Sequence, residues 1–240
     1  MSLPVLVRVR AAALLAALAL AGGCASPGPG SARDPLEPMN RAVFAFNDQA
    51  DALLVRPAAR AYQAAVPEVL RVAIGNIVNN LLEPWTVVNQ LLQGKPVEAL
   101  AGLARFGLNS TLGLAGVVDL ATPIGLERRQ EDLGQTLGRW GLPAGPYLVL
   151  PLLGPSSLRD TAGTVGAYRL DPVWQDANGD QRSGFTFFFV LETRVRLLGS
   201  ERVIEGAALD RYSFIRDSYL QRRRNLVFDG NPPPPKEDDE

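Results

Sequence analysis

Along most of this chain, apolar residues recur at the three- and four-residue spacing of a helix, and proline or glycine interrupts them at nearly every junction. Asp34-Pro35-Leu36-Glu37 reads as a helix start, with Asp34 as N-cap, Pro35 in the first turn and Glu37 reaching back; Pro38 offers a second starting point. Met39, Val43, Phe46, Ala50 and Leu53 then form one stripe, which Arg56-Pro57 is expected to end. A shorter helix follows to about Val66. Pro67 opens the next, with Leu70, Ile74, Ile77 and Leu81 on one face and Asn76, Asn79 and Asn80 mostly off it, so this element is amphipathic and not a membrane span. Pro84 is expected to start a short helix through Trp85, Val88 and Leu92 that stops at Gly94, and Pro96 another through Val97, Leu100, Leu103, Ala104 and Leu108.

Beyond Leu112 the glycines multiply and short turns are expected; Glu127 to Arg139 is charged and reads as helical. Ser157-Leu158-Arg159-Asp160 fits a capping box and Asp171-Pro172 ends the helix it opens. Phe185 to Leu198 reads as a further helix, and Ser200 caps the next. A last helix carries Leu209, Tyr212, Ile215 and Tyr219 on one face and Arg222 to Arg224 near its end. With hardly any alternating strand pattern, the expected fold class is all-α, a single domain of many short amphipathic helices.

The stretch Trp140 to Ser157 breaks this pattern. It carries no charge, and Pro143, Pro146, Pro151 and Pro155 forbid a continuous helix. Tyr147 to Leu153 is far shorter than the roughly 20 residues a spanning helix needs. Two readings stand: a buried crossover inside a globular core, or non-helical backbone at membrane depth, shielded by protein or a water-filled cavity.

The N-terminus reads as an export signal over residues 1–23, with Arg8 and Arg10 ahead of the apolar run Ala11 to Ala21. Leu20-Ala21-Gly22-Gly23-Cys24 resembles a bacterial lipobox, with Ala21 where Leu is usual, so Cys24 is the expected lipidation site. Two acyl chains already anchor a protein stably. Residues 24–33 form a short tether of about 35 Å at full extension, which keeps the domain (34–228) close to its bilayer. Residues 229–240 form a Pro-rich acidic tail.

Composition then removes chemistry. There is no histidine, Cys24 is the sole cysteine, and Lys95 and Lys236 are the sole lysines. A Ser-His-Asp triad, a Cys-His pair, a His-ligated metal, a Cys-rich zinc site and an internal disulfide are all excluded. A net charge of −1 argues against a nucleic-acid partner. Asp176 to Asp180 resembles a calcium loop, but Gln181 stands where Gly is wanted and Phe187 where Glu is wanted, so a plain turn is expected. Gly134-x-x-x-Gly138 lies in a charged segment and reads as coincidence. Trp85, Trp140 and Trp174 read as core ahead of boundary anchors, and Arg222 to Arg224 as a solvated helix end.

Several segments, in consistent order from Asp34 to Arg224, resemble the MlaA (VacJ) family of outer-membrane lipoproteins. They are Asp34-Pro35-Leu36-Glu37 with Asn40-Arg41, Arg56-Pro57, Asn80, Glu83-Pro84, Gln93-Gly94, Arg105-Phe106-x-Leu108-Asn109-Ser110-Thr111-x-Gly113, Gln135 to Gly141, Gly145-Pro146-Tyr147, Leu150-Pro151 and Leu158-Arg159-Asp160, then Glu192-Thr193-Arg194 and Tyr219-x-Gln221-Arg222. Pro38-Met39 departs from the family's usual Gly-Phe. The resemblance implies a ring of helices in the inner leaflet of the outer membrane, lipid-anchored and embedded from the periplasmic side. It implies an amphipathic channel for misplaced outer-leaflet phospholipid, a soluble periplasmic lipid carrier and an outer-membrane porin trimer as partners, and no cofactor, metal or catalytic residue. Trp140, Tyr147, Leu148, Leu150, Pro151 and Leu153 are then the candidate membrane-buried or channel segment, and Asp34 to Glu37 with Asn40 and Arg41 a structural or lipid-path motif. The alternatives are a structural envelope lipoprotein without transport activity and a lipid hydrolase that works without histidine.

Overall fold

The computed structural model describes residues 34–170, 179–199 and 210–234. Cys24, the signal and tether, Trp174, Ser200, Leu209, residues 171–178 and the end of the acidic tail lie outside them. Helix α1 (Glu37–Ala50) runs into α2 (Arg56–Ala65) through a single π turn, Asp51–Val55. The expected break at Arg56-Pro57 does not occur. A proline ring clashes with the carbonyl four residues back, and a turn widened to i→i+5 makes room for it. Arg56 and Arg194 both bond the Asp51 carboxylate across this turn.

The start of α1 also differs from expectation. Its N-cap is Leu36, without a side-chain cap bond. Asp34 is instead buried, accepting from Asn40 Nδ2 at 3.0 Å and from the Tyr212 hydroxyl.

Helix α3 (Glu68–Leu92) passes straight through Pro84, where two helices were expected. It pairs with α4 (Pro96–Thr111) as an antiparallel hairpin, Asn80 reaching Ser110 and Gly102 fitting against Val87. This packing outweighs the bond that proline removes. The turn is closed by Gly94, at φ +74°, and by the Lys95 amide donating to Gln90 O.

Only Leu133–Arg139 (α5) of the charged segment is helical; residues 127–132 run extended up to an Asp132 N-cap. Their side chains are drawn to separate buried partners: Arg128 to Glu83, and Glu131 to Lys95 and Gln93.

The uncharged stretch holds the only strands among the described residues. β1 (Tyr147–Leu150) and β2 (Gly154–Ser157) pair antiparallel, Tyr147 opposite Ser157 and Leu150 opposite Gly154. α6 (Leu158–Leu170) follows, capped as expected by Ser157 Oγ accepting from the Asp160 amide. α7 (Gly179–Leu197) and α8 (Arg211–Val227) complete the body. Gly134-x-x-x-Gly138 proves to be a packing surface: Gly163 of α6 sits against the Gly134 backbone, and Gly138 against Arg159 and Val227.

The packing is inverted relative to a water-soluble bundle. Among the described residues, 19 buried side chains are polar or charged and 11 are apolar. In α3 and α4 the buried set includes Asn80, Glu83, Thr86, Asn89, Gln90, Arg105 and Asn109, while Leu70, Ile77, Leu81, Val88, Leu91, Val97, Leu100 and Leu103 face outward. In these two helices the expected stripes exist and point away from the interior. No helix among the described residues is long and apolar enough to cross a membrane.

Candidate functional site

The hairpin tip is the hub of the interior. Asn40 and Asn47 stand two helical turns apart on α1, so both amides face the free edge of β1. Asn40 donates to Tyr147 O at 2.9 Å and accepts from the Val149 amide at 2.9 Å. Asn47 donates to Leu150 O at 2.9 Å and accepts from the Leu152 amide at 2.7 Å. A helix thus supplies along the edge of β1 what a third strand would. Tyr147 and Val149 point from β1 into a cluster with Tyr212, Phe44 and Tyr219. Burial pushes the Tyr147 phenol up to about 12, with the Asp34 charge adding to the effect.

The opposite face of the hairpin borders open space. A cavity of about 480 Å³ lies between the hairpin tip, the π turn and α7, walled by Val55, Leu152, Leu153, Phe189, Val190, Leu197 and Ile215. Charges sit on it in pairs, Asp51 with Arg194 and Arg56, and Asp48 with Arg211. A second cavity, about 370 Å³, shares Leu153 and Tyr168 with the first and adds Leu82, Trp85, Leu150 and Pro155. A third, about 930 Å³, shares Gln130, Glu131, Asp132, Tyr219 and Arg223 with the second, and is a vestibule edged by Lys95, Arg128, Arg129, Arg139 and Arg222. The three adjoin in series, and their walls change from apolar to charged.

The junction of the second and third is a layer of ion pairs. Arg223 donates to Asp132 at 2.6 and 2.7 Å and to Asp160 at 2.9 and 3.0 Å, and the Tyr219 hydroxyl donates to Asp160 at 2.7 Å. Burial pushes the Asp160 and Asp132 carboxyls up, but the Arg223 bonds and charge outweigh it and hold both below the ordinary carboxylate range. Arg223 is therefore no solvated helix end.

The other expected site residues distribute as follows. Leu150 and Leu153 line the cavities, Tyr147 belongs to the core, and Leu148 is half-buried. Pro151 is exposed at the hairpin tip. Trp140 is 59% exposed, its indole donating to Leu92 O at 2.9 Å, and Trp85 lines a cavity, so neither is core as expected. Asp34 and Asn40 are buried at the foot of the hairpin, Arg41 bridges Glu37 and Asp210, and Pro35 and Leu36 make no polar side-chain contact. Asn47, Asp132 and Arg223 were not anticipated; the seven-residue spacing of Asn40 and Asn47 was the available signal. No cluster of carboxylates among the described residues could hold a metal ion.

The description MlaA lipoprotein belongs to the family model that matches residues 32–226. Intermembrane phospholipid transport system lipoprotein MlaA from Escherichia coli (strain K12) is 34% identical over 238 residues, 96% of this chain and 93% of that one. The protein so named from Haemophilus influenzae is 32% identical over 226 residues, 91% and 90% of the two chains. A structure solved in work on the structural basis for maintenance of bacterial outer membrane lipid asymmetry superimposes with a TM-score of 0.73 at 35% identity, covering 81% of this chain and 98% of that one.

Proposed function

Because the chain belongs to the MlaA lipoprotein family, we propose that it takes mislocalised phospholipid out of the outer leaflet of the outer membrane and passes it towards the periplasm. The observation that carries this reading is the series of three adjoining cavities, graded from apolar to charged, inside a body whose outer helix faces are apolar. A phospholipid needs that combination: apolar walls for acyl chains, charged groups for the headgroup, and an apolar outer belt that lets the ring sit in a leaflet. Acylation at Cys24 after loss of residues 1–23 would hold it at the membrane on the tether of residues 24–33. The segment Leu142 to Pro155 would form part of the passage, its hairpin keeping backbone polar groups paired at membrane depth. A porin trimer fits the outward apolar faces, and a soluble lipid carrier the charged vestibule.

The test is to purify the lipidated protein and identify what accompanies it. Phospholipid and porin together are the expected result. Their joint absence, or unchanged outer-leaflet phospholipid in cells lacking the protein, would overturn the reading.

A further inference from the structure

A fourth space, about 120 Å³, lies between α3 and α4 and meets the three-cavity path only at Arg128. It has room for about four waters at their liquid volume of about 30 Å³ each. Its walls are polar, and four of their buried atoms have no protein partner: Asn80 Oδ1, Glu83 Oε1, Arg105 Nε and Arg128 Nη2. Each of these side chains spends its other polar atoms elsewhere. Asn80 donates to Ser110, Glu83 accepts from Arg128 Nε at 3.1 Å, and Arg105 holds Asp119, Thr122 and Leu126 O. Glu83 Oε1 and Arg105 Nε stand 3.8 Å apart, too far to satisfy each other. Asn80, Glu83 and Arg105 are each more than nine-tenths buried, and unpaired groups this deep are rare in folded proteins.

The unmet groups come in two kinds, two acceptors and two donors. The charges around the space balance, Glu83 and Asp119 against Arg105 and Arg128. A lone anion or a lone cation would disturb that balance, and a ligand bearing both charges would not. We propose that this chamber binds a small zwitterion, an ammonium joined by a short linker to an oxyanion. The ammonium would donate to Asn80 Oδ1 and Glu83 Oε1, and the oxyanion would accept from Arg105 Nε and Arg128 Nη2. Burial pushes the Glu83 carboxyl up, with Asp119 adding to this against the pull of Arg128 and Arg105, so an ammonium beside it relieves a group the fold leaves under-compensated. The amino-phosphate headgroup of a phospholipid has this chemistry, and so has a free aminoalkyl phosphate in its singly ionised form, below a second phosphate pKa of about 6; the first source rests on the lipid-path reading and the second does not.

The experiment is calorimetric titration of the full-length protein in a maltoside micelle with O-phosphoethanolamine, glycerophosphoethanolamine, ethanolamine and inorganic phosphate. The expected result is saturable binding of a zwitterion at least tenfold tighter than either half, lost in Glu83→Gln and weakened at least tenfold in Arg128→Lys, which keeps the charge but not Nη2. Binding of the glycerol diester supports the headgroup source, and binding of the monoester alone a soluble one. Phosphate or ethanolamine binding as tightly as the zwitterion, or no titration with any probe and water alone filling the chamber, overturns the proposal. Phospholipid co-purifying with the Glu83→Gln protein reads the three-cavity path separately, because Glu83 lines the chamber and none of the three cavities. Its absence from wild type would sink the path and leave the chamber standing.

Discussion

Asn47 accepts from the Leu152 amide at 2.7 Å, at a residue whose φ of +63° places it in the left-handed region. A leucine pays about 1–2 kcal/mol for that conformation, so the Asn47 bond holds the hairpin tip in a shape its own residue resists. Asn47→Ala removes this bond and the one to Leu150 O. A loss of about 1–2 kcal/mol is expected, with faster proteolysis at the hairpin tip, read by denaturation and limited digestion in micelles.

Asn40 carries more. Its amide serves Asp34, Tyr147 O and the Val149 amide, all buried. Asn40→Ala leaves each without that partner and is expected to cost about 2–4 kcal/mol in a denaturant titration.

The contact of α5 with α6 depends on two glycines. A Cβ at Gly163 would stand 2.5 Å from Gly134 N and 2.8 Å from its Cα, both backbone atoms that cannot yield. Gly163→Ala should therefore destabilise by about 2 kcal/mol or more. One turn further on, a Cβ at Gly166 meets only the Leu133 Cδ2 at 2.6 Å, the end of a flexible side chain, so Gly166→Ala should show a much smaller shift in melting temperature.

The Arg223 layer sets a pH dependence. Asp132 and Asp160 are held below their ordinary range. Such groups support the fold above the unfolded carboxylate pKa and lose that support as pH falls through the lowered folded value. Arg223→Gln removes their main partner. Its deficit against wild type should be widest at neutral pH and narrow below about pH 4, as measured by denaturant midpoints across an acid series.

Transport itself is probed on the hairpin. Leu150 lines the second cavity, and Leu148 shares its strand face. Leu150→Asp and Leu148→Asp put a carboxylate against the proposed acyl path. Outer-leaflet phospholipid should rise while the acylation proposed at Cys24 is unchanged from wild type, and wild-type lipid levels would count against the path.

The helical character of the chain, and boundaries such as Pro96 and the Ser157 cap, were legible because they rest on local chemistry. The direction of the stripes was not. A period of three and four says that a helix has two unlike faces, and cannot say that Leu100 looks out while Arg105 looks in. The hairpin was hidden because Tyr147 to Leu153 is apolar without alternation and Pro155 sits in β2, a place proline tolerates on an edge strand. Pro84 misled because the helix that runs through it is held on either side by α4, at Asn80–Ser110 and Val87–Gly102. Asn47, Asp132 and Arg223 draw long-range partners from 63 to 105 residues away, a distance no local pattern spans.

The outward leucines of α3 and α4 also bear on how the molecule must travel. An apolar patch beyond a few hundred Å² is rarely left bare in water, and here it belongs to the finished fold, so reaching the native shape offers no shelter. In water the molecule would therefore be an aggregation hazard in its best-folded form, a hazard that folding does not remove.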